Sequence, residues 1–228
     1  DPANPNSKGV ATVVNKQKFK HWTGVNANGI IQGRALLATV PWGEDSSISI
    51  LNVYAPNDHR ENANFWTQIR RHWLDHRLAK SDIVLGDMNF VEDAIDRLPA
   101  HPNPTPTLES FNDFKQQLNV TDGWRSRNPF RAAYTYTQAS TINGAAPSRS
   151  QLDRIYISPT LLTKSQNWES STTAILTDHK LVSVQVSNPS TPAMGRGRWM
   201  IPRRLHRTPF ASFFTSSNFH QSEEQSLD

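Results

Sequence analysis

Asp87 and Asn89 stand two positions apart at the end of the run Ile83-Val84-Leu85-Gly86-Asp87-Met88-Asn89, where an aliphatic stretch gives way to polar side chains. A carboxylate beside a carboxamide is hard-oxygen chemistry, suited to Mg²⁺ or to a polarised water. Turn formation selects the same types, because Asp and Asn bond their own backbone, so this pair alone fits two readings. Three further clusters bear on the choice: Tyr54 with Asn57, Asp153 next to Arg154, and Asp178 with His179. Each has a plain reading too, as a sheet-face aromatic, a surface ion pair, a helix cap or an exposed histidine. Jointly they offer carboxylates for a hard cation, an amide to orient, an imidazole to move protons or meet developing negative charge, and a phenol to donate. Those are the parts of a metal-assisted phosphodiester hydrolysis, which must activate water, neutralise phosphoryl oxygens and stabilise a leaving oxygen.

Every one of these clusters lies at the edge of an expected strand. Residues 9–15 and 34–40 read as strands around a turn-prone Asn26-Ala27-Asn28-Gly29, and 43–47 read as a second turn. Ile48-Ser49-Ile50-Leu51-Asn52-Val53-Tyr54 alternates except at Leu51, which predicts a third strand and an antiparallel meander. From Glu61 the period changes: Phe65, Ile69, Trp73 and Leu74 predict an amphipathic helix to about Leu78, leading into the strand at Ile83. Residues 90–106 read as a long loop, and Leu108, Phe111, Phe114 and Leu118 predict a second helix. Residues 133–137, 151–158 and 181–186 read as strands, with a short extended piece at 173–176. Strands packed into sheets would gather the four clusters at one rim, where loops on a rigid scaffold place function.

Length and composition bound the rest. A chain of 228 residues is long enough for one substantial core, although fifteen prolines and a mean hydropathy of -0.61 predict many loops. It has no cysteine, which excludes disulfides, thiolate nucleophiles and cysteine-based zinc sites, so any metal is held by oxygen or imidazole. A net charge of +4 permits a polyanionic partner. No apolar run reaches membrane-spanning length and no signal-peptide pattern opens the chain, so no membrane partner is expected. The compact domain is expected over 9–187, after a disordered tail at 1–8. A basic linker and tail follow at 188–228, with Arg196, Arg198, Arg203, Arg204 and Arg207.

Gly86-Asp87-Met88-Asn89, Asn52-Val53-Tyr54-Ala55-Pro56-Asn57, Leu152-Asp153-Arg154-Ile155-Tyr156-Ile157-Ser158 and Thr177-Asp178-His179 resemble, in order and spacing, four motifs of the endonuclease/exonuclease/phosphatase superfamily, the fold of DNase I and the apurinic endonucleases. The segments 58–66, 91–99 and 122–129, with the trailing Gly195-Arg196-Gly197-Arg198-Trp199, are similar to one branch, the apurinic-like endonuclease of fungal-type non-LTR retrotransposons.

The resemblance implies an α+β fold, a four-layered α/β sandwich of two packed, mainly antiparallel sheets flanked by helices. It also implies nicking of DNA with Mg²⁺ (or Mn²⁺), a reverse transcriptase domain as neighbour in the full-length element, and a nuclear, intracellular setting. By position, Asp87 binds or orients the attacking water and Asn89 fixes it. His179 meets the scissile phosphate, Asp153 orients His179, and Asp178 joins Asp87 near the metal. Tyr54 and Asn57 contact the phosphate or assist the leaving group, while Arg34, Thr135 and Tyr136 line the DNA-facing rim. The family's first strands, the second of which ends in a metal-binding Glu, have no counterpart among these residues. The domain is therefore expected to be N-terminally incomplete and weak or inactive in nicking. A catalytically dead nucleic-acid-binding remnant, and a phosphatase or phospholipase of the same fold, are the alternatives.

Overall fold

Residues 9–16, 22–42, 46–138 and 146–187 are described by the computed structural model, and all lie in the unit formed by residues 1–191. The expected tails at 1–8 and 188–228, and the core of the turn at 43–45, lie outside the described residues. Among the described residues the fold is mixed α/β with three sheets. Strands β1 (Asn26–Ile31), β2 (Ala35–Pro41) and β3 (Ser47–Tyr54) form the antiparallel meander. Helix α1 (His59–Asp75) then carries the chain over to β4 (Ile83–Asp87), which pairs parallel with β3. A short 3₁₀ turn (Ala94–Asp96), β5 (Arg97–Leu98), α2 (Thr105–Leu118), β6 (Thr121–Asp122) and α3 (Gly123–Arg127) follow. The rest comprises β7 (Tyr136–Thr137), β8 (Arg149–Ser150), β9 (Asp153–Ile157), α4 (Pro159–Leu162), β10 (Ser165–Ser171) and β11 (Leu181–Val186). The large sheet has the order β1-β2-β3-β4-β9-β6, with β10-β11 and β5-β8-β7 as smaller sheets.

Both faces of the large sheet are buried, which explains the broken alternation of β3. Leu51 and Val53 join Val84 and Tyr156 under α1 and α2, whose Phe65, Trp66, Ile69, Phe111 and Phe114 form an aromatic core. Ile48, Ile83, Ile155 and Ile157 face the other way, where Trp168, Val182, Val184 and Val186 of β10 and β11 pack on them. A strand covered on both faces reads as a continuous apolar run. Two packed sheets with helices over the large one give the expected sandwich architecture. Helix α1 starts at Asp58, whose carboxylate accepts from the N–H groups of Arg60 and Glu61 at 2.9 and 3.0 Å.

Three local expectations give way. Residues 26–31, with turn-forming types, pair as β1 through an irregularity between Gly29 and Ile31; the ladder with β2 outweighs local propensity. Residues 9–15 form no strand: Val10, Thr12 and Val14 are half-buried as alternation predicts, yet they pair with no strand, and the Asn52 side-chain amide donates to the Ala11 carbonyl at 3.0 Å. Residues 173–176 are bends and coil, with Ile175 and Leu176 exposed, while the polar stretch Ser165–Ser171, which carries no apolar alternation, is a strand held by β11.

Candidate active site

The site begins at the end of β4. Tyr54 is the register partner of Asp87 across β3 and β4, and Asp87 is the partner of Asp153 across β4 and β9, so the three stand in one row at the sheet's end. Gly86 has φ +138°, and a Cβ there would meet the Val53 carbonyl oxygen at 1.9 Å, so only glycine lets β4 lie this close to β3. Beyond it the chain turns at Asn89, in the left-handed region at φ 53°. The Asn89 N–H donates to Asp87 Oδ1 at 2.9 Å, and its side-chain amide donates to the Ala55 carbonyl at 2.7 Å. The turn reading and the site reading of this pair are thus both true of one structure. Asn62 of α1, fully buried, locks the two loops together: Nδ2 donates to the carbonyls of Pro56 at 2.8 Å and Met88 at 2.9 Å, while Trp66 Nε1 donates to its Oδ1 at 2.7 Å.

His179 completes the cluster. Its Nδ1 donates to Asp153 Oδ2 at 2.8 Å, and ligand atoms of Asp87, Asp153 and His179 all lie within 4.8 Å of one another. Burial, then the facing Asp153 carboxylate, push the Asp87 carboxyl up to about 6; the Asn89 N–H and His179 act the other way. The Asp153 hydrogen bond raises His179 above the ordinary imidazole value against some desolvation. Two carboxylates and an imidazole this close suit a divalent cation, whose charge would relieve the repulsion that lifts Asp87.

An open groove runs over this row, lined by Tyr54, Asn57, Asp87, Asn89, Tyr136, Asp178 and His179 among the residues expected from sequence. Asp178 also raises Asp87, but the cluster that could hold a metal is formed with Asp153 and His179 instead. Arg34 lies behind Tyr54, donating from Nη1 to its carbonyl at 3.0 Å with the guanidinium 5.2 Å from its ring centre. Thr135 is buried below the groove rather than on its rim. Its hydroxyl oxygen accepts from the Leu152 and Asp153 N–H groups at 3.0 and 2.9 Å, fixing the backbone that carries Asp153.

Asp153 and Arg154 are not a surface ion pair. Alternation on β9 sends Asp153 to the site and Arg154 into the interior, where it bonds Asp96 and Asp122 at 2.5 Å each and Arg125 joins Asp96. These acids hold the Arg154 guanidinium more basic than usual despite its burial. His59, Arg97, His101, Ser148 and Ser150 also line the groove and carry no sequence-level sign of their role.

No protein-family model matches the chain. A 149 kDa protein of transposon TX1 from Xenopus laevis is 31% identical over 170 residues, covering 74% of this chain, which spans only 12% of that protein. The endonuclease domain of TRAS1, a telomere-specific non-LTR retrotransposon, superposes with a TM-score of 0.52 at 14% identity, over 71% of this chain and 68% of that one. An AP endonuclease from Archaeoglobus fulgidus gives a TM-score of 0.55 at 16% identity, over 72% and 70%. These likenesses show that the chain shares the DNase I-like fold of a retrotransposon endonuclease domain and an AP endonuclease, and that its sequence is similar to a transposon protein.

Proposed function

We propose that this chain is the endonuclease domain of a retroelement and hydrolyses a phosphodiester bond in DNA, in the nucleus, beside a reverse transcriptase domain. The observation that carries the reading is the Asp153–His179 pair at 2.8 Å directly beside an Asp87 carboxyl lifted to about 6. A general base acts best when its pKa lies near the working pH, and Asp87 takes the proton of the attacking water while Asn89 fixes the loop. Asp153 holds the His179 ring by Nδ1, leaving Nε2 to donate to a phosphoryl oxygen as negative charge develops. The water oxygen bonds to phosphorus and the opposite P–O bond breaks. Tyr54, braced by Arg34, donates a hydrogen bond to the leaving oxygen, which solvent protonates. Mg²⁺ held by Asp87 with Asp153, and Asp178 nearby, would supply charge neutralisation at the phosphate.

Conversion of supercoiled to open-circular plasmid tests the reading, with Mg²⁺ or with EDTA, alongside His179→Ala. Mg²⁺-dependent nicking that H179A abolishes is the expected result. Salt-dependent DNA binding without cleavage would favour the binding remnant, and neither binding nor cleavage would refute the proposal.

A further inference from the structure

Arg97 is a half-buried cation facing the groove, and no carboxylate among the described residues pairs with it. The interior cations behave differently: Arg125, Arg154 and Lys115 each meet an acid. A cation taken partly out of water without a counter-charge costs stability unless something else compensates. Burial alone shifts Arg97, in the direction that disfavours its charge.

Its orientation is built. Nε donates to Ser150 Oγ at 3.3 Å, and Nη1 donates to His101 Nε2 at 2.8 Å. A guanidinium only donates, so His101 Nε2 accepts, and the ring's proton lies on Nδ1, which donates to the Pro99 carbonyl at 3.0 Å. The second terminal nitrogen has no protein partner among the described residues.

Strand pairing places this group relative to the chemistry. Arg97 pairs with Ser150, Ser150 with Tyr136, and Tyr136 with His179, one row across the groove floor. Three inter-strand steps put the Arg97 and His179 backbones roughly 14 Å apart. Both side chains line one groove, and side chains spaced so along it suit neighbouring phosphates of one nucleic acid.

We infer that Arg97, braced by Ser150 and His101, is a second phosphate-binding site that sets the register of DNA over the Asp87–His179 centre. This rests on the nuclease reading. Fluorescence anisotropy of a labelled duplex with the full chain, in EDTA from 50 to 200 mM salt, tests it through Arg97→Lys and Arg97→Met. Both variants lose the guanidinium fork that Ser150 and His101 hold, R97K keeps the positive charge and R97M does not, and the salt slope reports that charge rather than the packing. Wild type and R97K should share one slope of log affinity against log salt. R97M should bind about tenfold more weakly at 50 mM salt, with a slope shallower by about 0.9. Equal slopes for R97K and R97M overturn the inference and leave the nuclease reading standing. A wild-type chain that binds no duplex refutes both.

Discussion

Replacing Asp87 by Asn should stabilise the protein while removing its chemistry. The carboxyl is displaced from 3.8 to about 6 in the folded state, chiefly by burial and then by the Asp153 charge. A rise of that size corresponds to about 3 kcal/mol of penalty on the ionised form. Partial solvent access reduces the usable figure to roughly 1–2 kcal/mol. The folded value lies above the unfolded one, so the stability of the protonated carboxyl is complete below about pH 4 and lost as pH rises through about 6. Asn imitates the protonated form, and its Oδ1 still accepts from the Asn89 N–H. At pH 7.5 without metal, Tm of D87N should therefore exceed wild type by about 2–8 °C. The gain should shrink below pH 6 and vanish near pH 4. Added Mg²⁺ should raise the Tm of wild type more than that of D87N, because the amide replaces one of the two carboxylates that would hold the ion. Calorimetry from pH 4 to 8, with and without Mg²⁺, reads all of this. A D87N protein no more stable than wild type at pH 7.5, or a gain independent of pH, refutes the reasoning.

Asp153→Asn replaces the carboxylate that raises His179 by a neutral amide, so the imidazole should titrate at lower pH in a histidine-resolved NMR titration; an unchanged midpoint would contradict the pairing. The same linkage gives His179 a stabilising contribution that is full below about pH 6.5 and fades as pH rises through its folded value, and D153N should flatten that dependence in pH-resolved melts. Asn62→Ala leaves two buried carbonyls and the Trp66 N–H without their partner, which should cost about 2–4 kcal/mol in urea unfolding.

The strands and helices that carry the site were readable where periodicity and burial agree. Helix α1 announces itself by Phe65, Ile69 and Trp73, and β4 by Ile83 to Leu85 ahead of a glycine that the fold requires. The sequence also placed Asp87, Asn89, Asp178 and His179 at strand edges, and the row over β3, β4 and β9 brings Tyr54, Asp87 and Asp153 together. What stayed hidden depends on contacts between distant segments. Thr135 looks like any β-branched strand residue until its hydroxyl is seen under the Leu152 and Asp153 amides. Arg97 and His101 sit in a loop whose composition says only that it is a loop. Arg154 reads as a surface charge because local pattern says nothing of Asp96 and Asp122 waiting in the interior.

The row of Tyr54, Asp87 and Asp153 also bears on when the site comes into being. Its members arrive on three strands joined by a parallel crossover and a long excursion, and His179 follows from the far side of β10. Such non-local pairings form slowly and late, after the loop-closure entropy has been overcome. During synthesis, a ribosome-bound chain that has emerged only as far as β9 can assemble the acidic half of the centre, yet it lacks the imidazole. Assembly of the centre thus waits for the segment between β10 and β11, which brings His179 beside Asp153.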